Sequence, residues 1–340
     1  MVALQARAAN APRILITEPI AQEGIDLLRY ELPEAQIDVR LDLTAEQLRM
    51  LIGSYTALIV RSQTRVTGEL LAEATRLQVI GRAGSGLDNI DLDAAVRHSV
   101  LVVNAPRGSA VAVAEQTMAL LLALARHIPV ANRSTKAGRR DKSRLLGVEL
   151  HGKVLGIIGL GRVGKEVARL AQALSMRVIA CDPFVSAKQG QQVGVTLHSK
   201  EEVLQRADFV TLHATLANDE SGTRRLLGAR ELHLLKPGAY LVNSARGNFI
   251  DEEALLTALN ERRLAGVALD VFSQEPIGDD TVLRQLLAHE RVIATPHLGA
   301  STAEAQVRVA TEVARKIISA LRGDTLYGVA PLPFPPTKPA

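Results

Sequence analysis

Cysteine and long apolar runs are the scarcest features of this sequence. Its only cysteine is Cys181, so no disulfide can form within the chain, which is typical of a reducing compartment. The longest apolar candidate, residues 118–125, falls short of the roughly 18 residues that span a bilayer. The N-terminal stretch 1–13 has neither the apolar core nor the cleavage site of a signal peptide. We therefore expect a cytoplasmic protein that makes no membrane contact.

A large excess of charge of one sign is also missing. The chain has 40 Lys and Arg against 36 Asp and Glu, and its positive residues are scattered. The densest basic stretch, residues 133–144, contains no aromatic residue. We interpret this stretch as a solvated connection or an oligomer contact, and we expect no nucleic-acid partner. The formal net charge of +4 would help to attract small anionic substrates and dinucleotides.

The length and hydrophobic content indicate a globular protein of two domains. The 340 residues exceed one ordinary domain, and 47% of them are hydrophobic. A long Ala- and Leu-rich helical pattern over 111–126 is predicted to bridge the domains. Before it, short β-rich runs alternate with amphipathic stretches, as βαβ units around a parallel sheet do. Examples of these runs are residues 13–17, 57–60, 77–81 and 100–104.

A second series of strand candidates begins at Lys153 and is long enough for a complete doubly wound sheet. Its six runs are VLGIIG, RVIACD, FVTLHA, AYLVNSA, GVALDVF and RVIATP. The strands of the first third lack a flanking helix, so we expect the last helix, residues 302–321, to return to them. The predicted division is a discontinuous substrate domain, an inserted dinucleotide-binding domain and a Pro-rich tail, with the bounds 1–105 plus 298–326, 106–297 and 327–340.

A glycine motif gives the strongest local indication of a ligand. Gly159, Gly161 and Gly164 have the G-x-G-x-x-G spacing between an apolar run and a helical pattern. The first glycine permits a tight turn, the second lets a pyrophosphate approach the backbone, and the third allows the helix to pack against the strand. The pyrophosphate would lie at the helix N-terminus, near the amides of Arg162 and Val163.

The residue that ends the next strand indicates which dinucleotide binds. Asp182 follows Gly164 by 18 residues, where a carboxylate can accept both hydroxyls of the adenosine ribose. The same charge would repel a 2′-phosphate, so we expect NAD as the cofactor. The structural alternative is a glycine-rich turn followed by a solvent-facing aspartate.

Six ordered blocks give the chain a recognisable pattern along nearly its whole length. The chain resembles the D-2-hydroxyacid dehydrogenase family, and within it the branch that acts on 3-phosphoglycerate, in a short form without a C-terminal regulatory domain. The resemblance implies an α/β fold with two doubly wound parallel sheets, a Rossmann NAD-binding domain inserted into a flavodoxin-like substrate domain. The blocks are VRSQTRVT (60–67), GRAGSGLDNIDLDAA (81–95), GIIGLGRVG (156–164), LVNSARG (241–247), LDVFSQEP (269–276) and TPHLGAST (295–302).

The resemblance implies that three residues carry the chemistry. Arg246 would grip the substrate carboxylate and polarise the C2 carbonyl. His297 would exchange a proton with the C2 oxygen, and Glu275 would pair with its ring and keep the donor protonated near neutral pH. Singly, each has an ordinary structural reading, but all three follow predicted strand ends, where open α/β sheets bind ligands.

The resemblance implies further contacts, without any metal. Cofactor contacts are expected at His213, Ala245, Asp270 and Ser85, and substrate contacts at Arg61, Ser62 and Gly84. Turn formation and solvation are the alternative roles for these positions.

Three functions remain open at this point. The first is interconversion of 3-phosphoglycerate and 3-phosphohydroxypyruvate, which enters serine biosynthesis. The second is reduction of glyoxylate or hydroxypyruvate with the same three residues. The third is an NAD-sensing module that resembles the corepressors related to this family, because a fold alone does not determine a function. In each case we expect a homodimer or higher homo-oligomer, with the helix from Val111 and the arm over 133–150 as the contact.

Overall fold

The computed structural model describes residues 11–140, 142–214 and 225–324. The chain divides into two compact units. Unit 1 comprises the residues up to Ser109 and those from Thr302 onward, and unit 2 comprises Ala110–Ser301. These divisions fall a few residues beyond the predicted boundaries at 105/106 and 297/298. The predicted Pro-rich tail, 327–340, lies outside the described residues.

Unit 1 is a five-stranded parallel sheet in the order β2-β1-β3-β4-β5. This is the flavodoxin-like order expected from the family resemblance. The strands are β1 Arg13–Ile16, β2 Gln36–Val39, β3 Ala57–Val60, β4 Val79–Arg82 and β5 Leu101–Asn104. The helices are α1 Gln22–Glu31, α2 Ala45–Ile52, α3 Gly68–Glu73, α4 Leu92–Arg97 and, from the end of the chain, α13 Ala303–Arg322.

The last helix completes the core of unit 1. α13 contacts β4, β5 and α1, and its apolar stripe includes Val309, Val313 and Ile317, all buried. Gly24 of α1 permits this close approach, because an added Cβ would lie 2.7 Å from the Cβ of Ala310. Helix α13 therefore covers a sheet face that the local helices leave open.

Unit 2 is a seven-stranded parallel sheet in the order β12-β11-β10-β9-β6-β7-β8. Its strands are β6 Val154–Ile158, β7 Arg177–Cys181, β8 Thr196–Leu197, β9 Phe209–Leu212, β10 Ala239–Asn243, β11 Leu264–Leu269 and β12 Val292–Ala294. Its helices are α5 Ala110–Ala125, α6 Ile128–Lys136, α7 Arg162–Ala173, α8 Ala187–Gln191, α9 Lys200–Arg206, α10 Ala229–Leu234, α11 Glu252–Asn260 and α12 Thr281–Ala288, with 3₁₀ turns at Lys142–Arg144 and Gly247–Phe249.

The strand order of unit 2 reverses between β6 and β9, the two neighbouring strands at its centre. A crevice forms outside the carboxyl ends of strands where the order reverses, and this is where doubly wound sheets bind ligands. All six predicted strand runs form strands, and the two-residue β8 is an addition that the sequence pattern did not indicate. The predicted fold class is confirmed.

Helix α5 is rich in apolar residues because much of it is buried in the core of unit 2. Thr117, Leu121 and Ala125 have no exposed surface, and α5 packs against α7 and β10. No single helix among the described residues is long and apolar enough to cross a membrane, and α5 meets that test only when joined to α6 across a 61° bend.

Candidate functional site

The glycine turn between β6 and α7 is held by contacts that exclude any side chain at two of its positions. Gly159 has φ +96°, and a Cβ there would overlap the backbone of Ala214. A Cβ at Gly164 would overlap the carbonyl oxygen of Gly159. These two glycines therefore fix how closely α7 approaches the turn.

Gly161 serves a different purpose, because a Cβ there would meet nothing within 4 Å. It is the N-cap of α7, has an ordinary φ of −75° and makes no side-chain capping bond. The first-turn amides of a helix, here including those of Arg162 and Val163, have no intrahelical acceptor, and this first turn contains no acidic residue. The open space, the orphan amides and the positive end of the helix dipole fit a pyrophosphate.

Asp182 follows β7 and binds the backbone of the glycine turn. Its Oδ2 accepts the N–H of Leu160 at 2.8 Å, and its Oδ1 accepts the N–H of Phe184 at 2.9 Å. Each carboxylate oxygen can accept a second hydrogen bond, so the group remains able to bind the ribose hydroxyls of a dinucleotide. Cys181 beside it is an inert thiol, because burial and the Asp182 charge raise its pKa to about 11.

His213 follows β9, the neighbour of β6, and is buried. Burial lowers the pKa of His213 to about 3, so the imidazole is neutral at physiological pH. Its Nε2 lies 2.8 Å from the hydroxyl of Thr211, and its buried Nδ1 has no hydrogen-bond partner among the described residues. An orphaned polar atom at the reversal of strand order fits a bound cofactor, because buried polar atoms are normally satisfied.

Glu275 and His297 form a hydrogen-bonded pair in unit 2. Oε2 of Glu275 lies 2.7 Å from Nδ1 of His297, and Oε1 accepts the N–H of Phe272 at 3.0 Å. The His297 side chain is 50% exposed, so its other ring nitrogen can serve a ligand. A carboxylate that fixes one nitrogen and leaves the other for proton transfer is the arrangement of a general acid and base.

The electrostatics of this pair favour an ionised Glu275. Partial burial of the carboxyl group raises its pKa, but the hydrogen bonds from His297 and Phe272 and the positive charges of His297 and Arg246 outweigh burial. The pKa of Glu275 therefore lies below its usual value, and the group stays anionic throughout the neutral range.

Arg246 is positioned by the loop that follows β10. The side chain of Asn243 donates to the carbonyl of Arg246 at 2.8 Å and accepts the N–H of Ala245 at 3.1 Å. The Arg246 guanidinium donates to the carbonyl of Ala245 at 2.7 Å. These bonds hold a cation whose charge reaches Glu275, so Arg246 and the Glu275–His297 pair belong to one electrostatic group.

Asp270, predicted to contact the cofactor, organises the loop that carries His297. It has no exposed surface, and its carboxylate accepts hydrogen bonds from the Thr295 hydroxyl at 2.6 Å and from the N–H groups of Leu298 and Gly299, both at 2.8 Å. His297 itself has φ +54°, a left-handed conformation that is uncommon in non-glycine residues. The predicted contact of Asp270 with the cofactor stays a prediction. Thr295 was not singled out from the sequence, although it stands in the block that contains His297.

Four predicted residues lie in unit 1 at the carboxyl ends of its strands. Arg61 and Ser62 follow β3, and Gly84 and Ser85 follow β4. Gly84 has φ +154°, a backbone conformation that L side chains rarely adopt, so the position favours glycine. The Ser85 hydroxyl lies 3.1 Å from that of Ser109. Within the described ranges no group of three or more His, Cys, Asp or Glu residues could hold a metal ion.

Comparisons with known proteins agree with this geometry. The family model described as "D-isomer specific 2-hydroxyacid dehydrogenase, NAD binding domain" matches residues 118–299. The chain is 42% identical over 317 residues to D-3-phosphoglycerate dehydrogenase of Synechocystis, covering 93% of this chain and 55% of that protein. It is 43% identical over 327 residues to the enzyme of the same name from Methanocaldococcus jannaschii, covering 96% and 60%. The chain thus spans a little over half the length of these curated relatives.

Solved structures resemble the whole of this chain. A Thermus thermophilus protein has a TM-score of 0.81 at 32% identity, covering 92% of this chain and 97% of its own. D-Lactate dehydrogenase from Aquifex aeolicus, solved with NAD and lactic acid, has a TM-score of 0.79 at 26% identity, covering 92% and 96%. The predicted resemblance and the predicted NAD cofactor are confirmed.

Substitutions at two glycines should separate cofactor binding from folding. Gly161→Ala adds a methyl group in open space, so the melting temperature without cofactor should stay within about 2 °C, while NADH affinity falls by roughly tenfold because the methyl group occupies the approach to the pyrophosphate. Gly164→Ala should instead destabilise unit 2 by about 1–3 kcal/mol through overpacking. Calorimetric melting and fluorescence titration with NADH measure both effects. Equal destabilisation by the two variants would contradict the assignment.

Proposed function

Because the chain belongs to the D-isomer specific 2-hydroxyacid dehydrogenase family, we propose that it interconverts a small D-2-hydroxy acid and its 2-keto acid with NAD. The observation that carries the proposal is the 2.7 Å hydrogen bond between Glu275 and His297 in the unit that contains the glycine turn. A proton donor and a dinucleotide site in one domain are the two requirements of this reaction.

The proposed reduction divides the work between the cofactor and the protein. When bound, the reduced nicotinamide supplies a hydride to C2 of the keto acid. The carbonyl π electrons move to the oxygen, and His297 gives that oxygen a proton from the ring nitrogen that Glu275 leaves unoccupied. In the oxidation the same nitrogen accepts the hydroxyl proton. Glu275 holds the ring and stabilises the imidazolium without exchanging a proton, and Arg246 binds the substrate carboxylate.

We propose 3-phosphoglycerate and 3-phosphohydroxypyruvate as the substrate pair, which would place the chain in serine biosynthesis. Identity above 40% to two proteins named D-3-phosphoglycerate dehydrogenase supports this choice. Arg61 and Ser62 follow a strand of unit 1 and offer a guanidinium and a hydroxyl, groups that suit a phosphate. The single, partly buried cysteine agrees with the proposed cytoplasmic location.

The function is tested by mixing the purified chain with NADH and, separately, phosphohydroxypyruvate, hydroxypyruvate and glyoxylate, and following the absorbance of NADH. We expect phosphohydroxypyruvate to give the highest kcat/KM. A preference for an unphosphorylated acid would move the function to the reductase alternative, and no turnover with any acid would favour the NAD-sensing module.

His297→Asn serves as the control for this experiment. The variant should lose roughly 10²–10⁴-fold in kcat, because general acid–base catalysis contributes that much, while its NADH affinity stays within about twofold. An unchanged kcat would show that His297 is not the acid–base group.

Glu275→Gln tests the positioning of His297. The amide keeps the shape of Glu275 but removes the negative charge, so kcat should fall by roughly 10–100-fold at pH 7. The folded-state pKa of Glu275 is lowered, so in the parent protein this charge is lost only as the pH falls through that lowered value. Glu252→Gln is the matched control, because Glu252 accepts hydrogen bonds from Ser273 on the same loop without touching His297. Equal losses of kcat in both variants would refute the role of Glu275.

A homodimer is part of the proposal. Exposed apolar side chains lie on α5, on α6 and in the segment after α6. They include Leu122, Ile128 and Leu146, and Leu146 is 88% exposed. A second copy of the chain would remove this apolar surface from water.

Leu146→Asp should convert the dimer to a monomer at micromolar concentration, because the substitution buries an unpaired charge in the contact. Tyr30→Asp, at an equally exposed position of unit 1, should leave the dimer intact. Sedimentation equilibrium distinguishes the species. A parent chain that is monomeric at micromolar concentration would contradict the proposal.

A further inference from the structure

The turn over residues 61–64, which follows β3, is held by a carboxylate from a neighbouring strand. Glu18 stands just beyond β1 and is only 6% exposed. Its Oε1 accepts the N–H groups of Arg61 at 2.8 Å and Thr64 at 2.9 Å, and its Oε2 accepts the N–H of Gln63 at 3.1 Å. One side chain thus binds three of the four amides of the turn.

A second side chain binds the carbonyl groups of the same turn. The amide of Asn89 donates to the carbonyl of Arg61 at 2.9 Å and to that of Thr64 at 2.7 Å. The hydroxyls of Thr17 and Thr64 lie 2.9 Å apart and add a second side-chain link, after Glu18, to the residues that follow β1. The backbone of the turn is therefore restrained at both ends through its donors and its acceptors.

The donor groups of the turn that Glu18 and Asn89 do not bind are suited to an anion. Ser62 is exposed, and its N–H has no acceptor among the described residues, so the turn presents an amide and a hydroxyl at one position. The Arg61 guanidinium donates to the carbonyl of Pro19 at 3.0 Å, which limits its movement beside Ser62. An amide, a hydroxyl and a guanidinium are the donors that phosphate-binding sites use.

Glu18 is ionised while it holds the 61–64 turn. Burial of the carboxyl group raises its pKa, but the hydrogen bonds from the backbone of Thr64, Arg61 and Gln63 outweigh burial and hold the pKa below its usual value. The carboxylate is therefore ionised at neutral pH, and both of its oxygens accept backbone N–H groups of the turn.

We propose that Glu18 and Asn89 are positioning residues that preorganise the 61–64 turn to bind the phosphate of the substrate, the anionic group remote from C2. The inference rests on the proposed function. A turn fixed before binding loses less conformational entropy when the ligand arrives, so the effect should fall on substrate affinity and not on the chemical step.

A purely structural role for Glu18 would give a different result. It would lower the stability of unit 1 without distinguishing phosphorylated from unphosphorylated ligands. Asp91→Ala provides the matched control, because Asp91 also accepts a backbone N–H in unit 1, that of Ala94 at 2.8 Å, as the N-cap of α4. This variant should lower stability and leave the KM of every acid within about twofold.

The experiment compares Glu18→Gln with the parent chain at saturating NADH. The neutral amide places an N–H₂ group against backbone donors, so KM for phosphohydroxypyruvate should rise roughly tenfold, while kcat and the KM for hydroxypyruvate stay within about twofold. Asn89→Ala should give the same pattern with a smaller rise, and it serves if Glu18→Gln does not fold. Equal rises in KM for both acids, or a fall in kcat alone, would overturn the inference.

Calorimetric titration with 3-phosphoglycerate separates this inference from the proposed function, because it needs no turnover. If the parent chain binds 3-phosphoglycerate without turnover, the proposed function fails, and a roughly tenfold weaker affinity of Glu18→Gln still supports the positioning role. If the parent chain binds neither 3-phosphoglycerate nor inorganic phosphate, the turn is not a phosphate site and the inference is refuted.

Discussion

The loops that carry the candidate functional side chains depend on carboxylates that accept hydrogen bonds from their backbone amides. A loop that leaves a parallel strand has N–H groups that neither sheet nor helix satisfies, and leaving such groups buried without partners costs about 1–3 kcal/mol each. Glu18 binds three amides beyond β3, Asp270 binds two beyond β12, and Asp182 binds that of Leu160 beyond β6. Each carboxylate stands at the end of a different strand, so the parallel topology brings acceptor and loop together.

Glu275 also accepts a hydrogen bond from a backbone amide, and in addition it contacts the candidate acid–base residue. One oxygen accepts the N–H of Phe272, as a structural carboxylate would, and the other meets the ring of His297. The backbone bond restrains the carboxylate before any ligand arrives, so the imidazole would need no reorganisation in the proposed reaction. The positive charge of Arg246 helps to keep Glu275 ionised, and the three residues thereby support one another electrostatically.

The parts that follow a regular period or a steric rule could be predicted from the sequence. The strand runs, the apolar helix α5 and the glycine turn follow such rules, and φ +96° at Gly159 is a requirement that the motif encodes. Strand β8 was not predicted, because a strand of two residues is too short to show an alternating hydrophobic pattern. The role of Glu18 was not predicted, because a charged residue in the stretch ITEPI is typical of a solvated loop. Only the fold shows that β3 ends beside it. The burial of Asp270 was equally hidden, since its three partners lie 25 or more residues away along the chain.

Steric exclusion at the glycine turn and hydrogen bonding in the 61–64 turn differ in how far they limit amino-acid substitution. At Gly159 and Gly164 the backbone itself occupies the space of a side chain, so no other residue fits without moving the helix. At position 61, Glu18 and Asn89 bind the backbone N–H and C=O groups, which every residue except proline possesses. The side chains at positions 61 and 62 can therefore change without loss of the turn. Under the proposed function, a backbone held in this way would present different groups to different acids, while the Glu275–His297 pair and the glycine turn stay as they are. Under the proposed function, the steric constraint would thus lie at the cofactor turn, and the freedom to vary would lie at the turn proposed to bind the substrate.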